Sequence, residues 1–109
     1  MRVTDEAVRA FQTAFYKYLN KTLGHEGACI IAERVARPLL EAAAPEIVRA
    51  IDPEELARLF HENYERLAPQ YNYETRKASA KPWADVPSNN KALMVATVRA
   101  ALKELVSDD

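Results

Sequence analysis

Glycine and cysteine are the residues that this sequence uses least. Two glycines occur among 109 residues, which excludes a glycine-rich loop of the kind that cradles phosphates. The single cysteine, Cys29, excludes an internal disulfide and fits a reducing cytoplasm. An excess of one charge is also absent, because 15 Lys and Arg stand against 16 Asp and Glu. The sequence therefore predicts no general attraction to duplex DNA or to an anionic membrane.

Histidines and long apolar runs are scarce as well. His25 lies four residues before Cys29, so the two could share a helix face, but a helix-start histidine and a small buried cysteine are the more ordinary interpretation. A metal site on His25, Glu26 and Cys29 would need His61 to complete it. Lys17 and other polar residues interrupt the first apolar segment, which argues against a membrane span. We predict a cytoplasmic, non-enzymatic protein with no catalytic residues, metal or cofactor.

Apolar residues recur at three- and four-residue spacing, which predicts four helices. The first runs from about Asp5 and stops at Gly24. Pro38 should kink the second near 34–37, and Pro45 should begin a last turn or a short separate helix. The third begins at "DPEE", with Asp52 as N-cap, and the fourth follows "WADVP". The predicted inward faces are, in chain order, Val8, Phe11, Phe15, Tyr18, Leu19 and Thr22; Ile31, Val35, Leu39 and Ala42; Leu56, Leu59, Phe60, Asn63, Tyr64 and Leu67; and Val95, Val98, Ala101, Leu102 and Leu105.

These elements predict an all-α, four- to five-helix single domain over residues 1–109. Residues 1–51 form an N-terminal helical pair, and residues 52–109 form a helix–loop–helix. The connection between the last two helices is about 17 residues long, and loops of that length in compact domains are usually functional or held by their own side chains. We expect a long, ordered aromatic loop, because its sequence, "YNYETRKASAKPWADVP", contains the only tryptophan and two of the five tyrosines.

The segment from His61 to Leu102 resembles a shortened ryanodine-receptor repeat domain. The likeness rests on "HENY", on the aromatic pair in "YNY" and on "PWADVPSNNK", which leads into the last helix. It implies a helix–loop–helix architecture. The whole chain is also similar to small proteins of actinobacterial phages in phrases such as "VTDEAV" and "LEAAAP". That second resemblance implies a small phage protein that acts in the host cytoplasm.

Charge is divided between the loop and the helix before it. Residues 71–91 carry four basic and two acidic side chains, whereas the third helix with its cap carries five acidic and two basic ones. The simplest explanation is structural: the segregated charges pair neighbouring elements, and the rings cover the core as a lid. Alternatively, the loop and the start of the last helix bind a small anionic or nucleotide-like ligand. The residues predicted for that ligand site are Tyr71, Tyr73, Thr75, Arg76, Lys81, Trp83, Asn89, Asn90 and Lys91.

Two further partners stay open at this point. The same loop or the first helix could bind a host protein. The small residues of the second helix and the aromatic residues of the first could instead form a symmetric homodimer. The lead hypothesis is ligand binding, and protein interaction or self-association through the first two helices is the alternative.

Overall fold

The computed structural model describes residues 1–107, and within this range it contains three α-helices, two short 3-10 turns and no strand. Helix α1 spans Asp5–Arg49, α2 spans Pro53–Leu67 and α3 spans Ser88–Val106. The 3-10 turns, Ala68–Tyr71 and Trp83–Asp85, lie in the connection between α2 and α3. The all-α class is confirmed. The predicted count of four to five helices is wrong, because the first two predicted helices and the segment after Pro45 belong to one element.

Gly24 divides α1 into two arms, residues 5–23 and residues 25–49. Gly24 is the residue within α1 whose dihedral angles (φ 77°, ψ 172°) are not helical, and this agrees with its predicted role as a helix stop. Arg37 Nη2 donates to Asp5 Oδ1 at 2.5 Å, although 32 residues separate the two. A straight helix would place them about 48 Å apart at 1.5 Å per residue. The two arms therefore lie side by side.

The inner face of the second arm is formed by small residues. Ala28, Ala32 and Ala36 are buried at four-residue spacing, and Ala44 and Val48 continue the buried set. The predicted face of Ile31, Val35, Leu39 and Ala42 is wrong, since the last three are exposed and Ile31 is half-buried. Alanine lets two helix backbones approach closely, and large side chains at the same positions would hold them apart.

The first arm matches its predicted face more closely. Val8, Phe11, Phe15 and Leu19 are half-buried, and Phe11 and Phe15 contact each other with ring centroids 5.5 Å apart. Tyr18, in contrast, is 71% exposed, and Thr22 is exposed as well. Two of the six residues of the predicted apolar stripe, Tyr18 and Thr22, therefore remain accessible near the end of the arm.

Proline does not end the second arm. Pro38 and Pro45 both lie inside α1, which continues to Arg49, and no residue near 34–37 leaves helical dihedrals. A separate short helix after Pro45 is therefore wrong, whereas the alternative of a last turn agrees with the end of α1 at Arg49. Each proline removes one backbone donor, but burial of Ala44 and Val48 beside Pro45 favours continuation of the helix.

Helix α2 begins as predicted but buries a different face. Asp52 Oδ1 accepts from the Glu54 backbone N–H at 3.0 Å, and Pro53 occupies the first turn. The buried residues are Ala57 and His61, whereas Leu59, Phe60, Tyr64 and Leu67 of the predicted face are exposed. The prediction is wrong because the following chain folds back on the side of the helix that carries His61, leaving the larger side chains open.

Helix α3 has no buried residue. Met94, Val95, Val98 and Leu102 are half-buried, while Ala101 and Leu105 are exposed, so its predicted face is confirmed for three of five positions. The chain divides into two compact units, one formed by residues 1–49 and 105–107 and the other by residues 50–104. Every residue of the predicted ligand site lies in the second unit. The single-domain expectation stays a prediction.

Candidate functional site

The turn that follows α2 places two tyrosines beside one another. The Asn72 N–H donates to Pro69 O at 3.2 Å, and the Tyr73 N–H donates to Ala68 O at 3.0 Å. These two bonds, with Asn72 in the left-handed region (φ 54°), form a Schellman-type ending. The backbone over these residues is thus a 3-10 turn that ends in a left-handed residue.

A buried histidine fixes the middle of the loop. His61 Nε2 lies 2.6 Å from Lys81 O, and the ring is 3% exposed. A carbonyl oxygen can only accept, so Nε2 carries the hydrogen. The Trp83 ring packs on His61 with centroids 5.7 Å apart, and Val86 is buried just beyond it. This anchor accounts for a tryptophan in a loop, because the ring covers a buried polar contact.

Lys91 closes the other side of the tryptophan. Its Nζ lies 5.5 Å from the Trp83 ring centroid and donates to Ala84 O at 3.3 Å. Both contacts engage the ammonium group within the protein, as a cation–π contact and a hydrogen bond. Trp83 and Lys91 thus have structural contacts in the loop, and neither lines the cleft described next.

An open cleft of about 240 Å³, here called the Arg76 cleft, lies between the loop, α2 and α3. The rings of Phe60 and Tyr64 lie on α2 with centroids 5.8 Å apart and nearly parallel. Tyr73 meets Tyr64 edge-on at 6.1 Å. The lining residues are Phe60, His61, Tyr64, Glu65, Tyr73, Thr75, Arg76, Ser79, Asn90 and Met94.

One cation and one anion line this cleft. Arg76 is held in position by its backbone, since its carbonyl accepts from the N–H groups of Ser79 and Ala80. Its guanidinium makes no hydrogen bond or ion pair within residues 1–107. Glu65 Oε2 accepts from the Thr75 hydroxyl at 2.6 Å. The cleft is therefore lined by an arginine whose five guanidinium donors are unused and by a partly satisfied carboxylate.

The nearby phenol and carboxylate affect Tyr64. Its pKa is raised, first by interaction with the Tyr73 phenol, then by partial desolvation and by the charge of Glu65. The phenol is consequently neutral and able to donate or accept a hydrogen bond throughout the physiological range.

The structure brings four of the nine predicted site residues together in the Arg76 cleft: Tyr73, Thr75, Arg76 and Asn90. Tyr71 lines a neighbouring groove. Lys81 contributes its carbonyl to His61, and the Asn89 side chain accepts from the Asn90 backbone N–H at 2.9 Å. Ligand binding at all nine positions stays a prediction.

Sequence reasoning missed Phe60, Tyr64 and Met94 as lining residues. It assigned the two rings to the core face of α2 and placed Met94 beside the core face of α3, since apolar spacing alone favours burial. The sequence feature that could have identified them is His61, which lies between Phe60 and Tyr64. A buried histidine needs a hydrogen-bond partner, and that partner had to come from the loop. When the loop covers the side of α2 that carries His61, the rings of Phe60 and Tyr64 lie at the edge of the loop, because they are one residue before and three residues after that histidine.

The first unit contains a second polar cluster. The Tyr16 hydroxyl is hydrogen-bonded to His25 Nδ1 at 2.6 Å, and Cys29 Sγ lies 3.7 Å from His25 Nε2. His25 and Cys29 therefore do share a face, as their spacing allows. Across residues 1–107 no group of three or more His, Cys, Asp or Glu side chains is arranged to hold a metal ion.

Comparisons with family models, with curated proteins and with solved structures give no match to this chain. The resemblances to a ryanodine-receptor repeat and to phage proteins therefore stay predictions. Among the described helices, none has the length and apolar character needed to cross a bilayer.

Proposed function

We propose that this is a non-enzymatic binding protein whose Arg76 cleft takes a small ligand that joins a planar ring to an anionic group, as a mononucleotide does. The observation that carries the proposal is the unpaired Arg76 guanidinium lining the same cleft as the open rings of Phe60, Tyr64 and Tyr73. A guanidinium fork matches phosphate or carboxylate oxygens in pairs, and an aromatic face accepts any base.

The size of the cleft limits the ligand. Its volume is about 240 Å³, whereas sites for drug-sized molecules are typically about 300–1,000 Å³. A single base with one anionic group suits this volume better than a dinucleotide or a peptide. The few basic residues also argue against extended nucleic acid, whose affinity comes from many phosphate contacts.

Glu65 determines the orientation of the proposed ligand in the cleft. One of its oxygens accepts from Thr75, and the other has no partner within the described residues. A carboxylate repels a second anion but accepts readily from ring or exocyclic N–H groups. The proposed pose places the anionic group at Arg76 and a hydrogen-bond donor of the ring at Glu65, with the ligand ring against the open aromatic side chains of the cleft.

These contacts imply a modest affinity. A hydrogen bond to a charged group contributes about 1.5–3 kcal/mol, and stacking of a base on an aromatic ring contributes about 1–3 kcal/mol. Their sum of about 3–6 kcal/mol corresponds to a Kd between several millimolar and about 50 μM. Tighter binding would require contacts that the Arg76 cleft does not offer.

Calorimetric titration with a panel of nucleoside monophosphates tests the proposal. At least one member should bind in this range, and Arg76→Gln should weaken its binding by about 10- to 100-fold. Arg99→Gln is the matched control, because Arg99 is an exposed and unpaired arginine of α3 that does not line the cleft. If no member of the panel binds, or if both variants weaken binding equally, the proposal is wrong.

Self-association is a second candidate, supported by the uncovered apolar residues of α1. Val35 and Leu39 lie four residues apart and are both exposed, and so is Tyr18. A stable dimer needs about 800 Å² of buried surface on each partner, which a helical face of this length can supply. A host protein that covers the same residues is the other form of this candidate.

Light scattering across a concentration series separates the two candidates. Leu39→Lys should dissociate a dimer built on α1, whereas Leu93→Lys, at an exposed leucine of α3, should leave it unchanged. A monomer at every concentration excludes self-association and leaves ligand binding unaffected.

A further inference from the structure

The tyrosine groove is a second opening, distinct from the Arg76 cleft, with a volume of about 430 Å³. It is lined by Tyr64, Leu67, Ala68, Tyr71 and Tyr73. Three of its five residues are aromatic, and the remaining two are aliphatic. No basic side chain lines it, so the groove offers nothing to an anion.

The rings form walls at an angle to each other. Tyr64 and Tyr73 have centroids 6.1 Å apart and planes inclined by 80°. Tyr71 lies on the same groove because the left-handed Asn72 turns the chain between the two tyrosines. Rings inclined in this way surround the groove with aromatic surface, and a cation within about 6 Å of an aromatic face is attracted to it.

The charges around the groove have the sign that this attraction needs. The adjoining hollow shares Ala68 and Tyr73 with the groove and is lined by Glu65 and Glu74, against a single cation, Lys77. An apolar aromatic groove beside two carboxylates suits a cation that is bulky and poorly hydrated.

We propose that the tyrosine groove binds a quaternary ammonium group, with Tyr64, Tyr71 and Tyr73 as an aromatic cage. A primary ammonium keeps a tight hydration shell and would prefer the carboxylates outside the groove. A trimethylammonium group has no N–H donors, so it loses no hydrogen bond to water on entering a largely apolar site. Tyr64 and Tyr73 line both openings, but this inference does not rest on the proposed function, because Arg76 takes no part in it.

Choline and 3,3-dimethylbutan-1-ol provide the test, since they have nearly the same shape and differ in charge. Calorimetry or ligand-observed NMR should show choline binding at least about tenfold more tightly than the neutral alcohol. Equal binding of the two would reduce the groove to a hydrophobic surface and overturn the proposal, and so would the absence of choline binding. A trimethyllysine amide tests whether the quaternary ammonium group can also belong to a protein side chain. Tighter binding of choline would indicate a small-molecule ligand, and tighter binding of the amide would indicate a protein. Either order supports the cage.

Substitutions at Tyr71 separate ring electrostatics from bulk. Tyr71 is 79% exposed, so its replacement leaves the packing of the unit unchanged. Tyr71→Phe should keep choline affinity within about threefold, whereas Tyr71→Leu, which keeps apolar volume without a π face, should reduce it about fivefold or more. Tyr18→Leu is the control, because Tyr18 is 71% exposed and lies in the other unit. If Tyr71→Leu binds choline like the unaltered protein, the cage assignment is wrong.

The Arg76→Gln variant tests whether choline binding is independent of the Arg76 cleft. It should not change choline binding, and Tyr71→Leu should not change nucleotide binding. Loss of choline binding in Arg76→Gln would show that one merged site holds both ligands, and it would overturn the assignment of a separate groove.

Discussion

Replacing Gly24 by alanine tests the turn on which the first unit depends. The dihedral angles of Gly24 (φ 77°, ψ 172°) fall in a region that L-residues with a side chain essentially do not occupy. A Cβ built at Gly24 meets no atom within 4 Å. The cost of the substitution is therefore backbone strain alone, and holding a residue in such a region costs about 1–3 kcal/mol.

Gly27 supplies the matched control within the same turn. It lies inside the second arm and has no positive φ, and a Cβ there would meet Leu23 Cβ at 3.4 Å. Alanine at a helical position is more favourable than glycine by about 1 kcal/mol. Gly24→Ala should thus destabilise the protein by about 1–3 kcal/mol while Gly27→Ala stabilises it by up to about 1 kcal/mol, a difference of about 1–4 kcal/mol between two identical chemical changes.

Urea unfolding followed by far-UV circular dichroism measures this difference. A total stability of about 5–15 kcal/mol makes a change of 1–3 kcal/mol easy to resolve. D-alanine at position 24, introduced by semisynthesis, should recover the lost stability because its favoured φ is positive. If Gly24→Ala and Gly27→Ala have the same effect, α1 does not turn at Gly24, and the pairing of its arms is wrong.

Three further predictions concern the second unit. Asn72→Gly should leave stability nearly unchanged and Asn72→Val should lower it by about 1–2 kcal/mol, since a side chain branched at Cβ opposes the left-handed conformation; equal urea midpoints for the two would contradict the Schellman assignment. His61→Ala should release Trp83, which would shift its emission to longer wavelength and increase quenching by iodide, and should cost about 1–3 kcal/mol; unchanged quenching would show that His61 does not hold the loop. Arg58 lowers the pKa of Glu55, so the stability from this pair is complete above the ordinary carboxyl pKa and is lost as the pH falls through the lowered value. Glu55→Gln should therefore flatten the acid limb of the stability profile, and an unchanged limb would contradict the pairing.

The start and stop signals of the helices could be predicted from the sequence, because they depend on a few adjacent residues. Asp52 caps α2 through the Glu54 N–H, and Gly24 adopts the positive φ that its position after an apolar stripe indicates. Such local rules act through one or two hydrogen bonds or dihedral angles. They hold whatever the rest of the chain does.

The inward faces could not be predicted reliably, since they depend on which neighbour arrives. Apolar size favoured Val35 and Leu39, but the buried residues of the second arm are Ala28 and the alanines at four-residue spacing after it. In α2 the same preference for large residues selected Phe60 and Tyr64. The hydrogen bond from His61 to Lys81 O instead decides which side the loop covers.

For the candidate site, too, local features could be predicted from the sequence and long-range contacts could not. Composition identified the loop, and it placed Arg76, Thr75 and Tyr73 among the lining residues. It could not show that Lys91 is engaged by Trp83 and Ala84, or that Tyr71 faces a separate groove. Those outcomes depend on a long-range contact and on the left-handed Asn72, neither of which a count of rings and charges contains.

An NMR titration of the labelled protein with adenosine monophosphate tests the central proposal most directly. The backbone amides of Thr75, Arg76 and Asn90 should shift together and saturate with one Kd, and the amides of α1 should stay in place. Shifts that appear in α1, or that leave these three amides unchanged at saturation, would show that the Arg76 cleft does not bind the ligand.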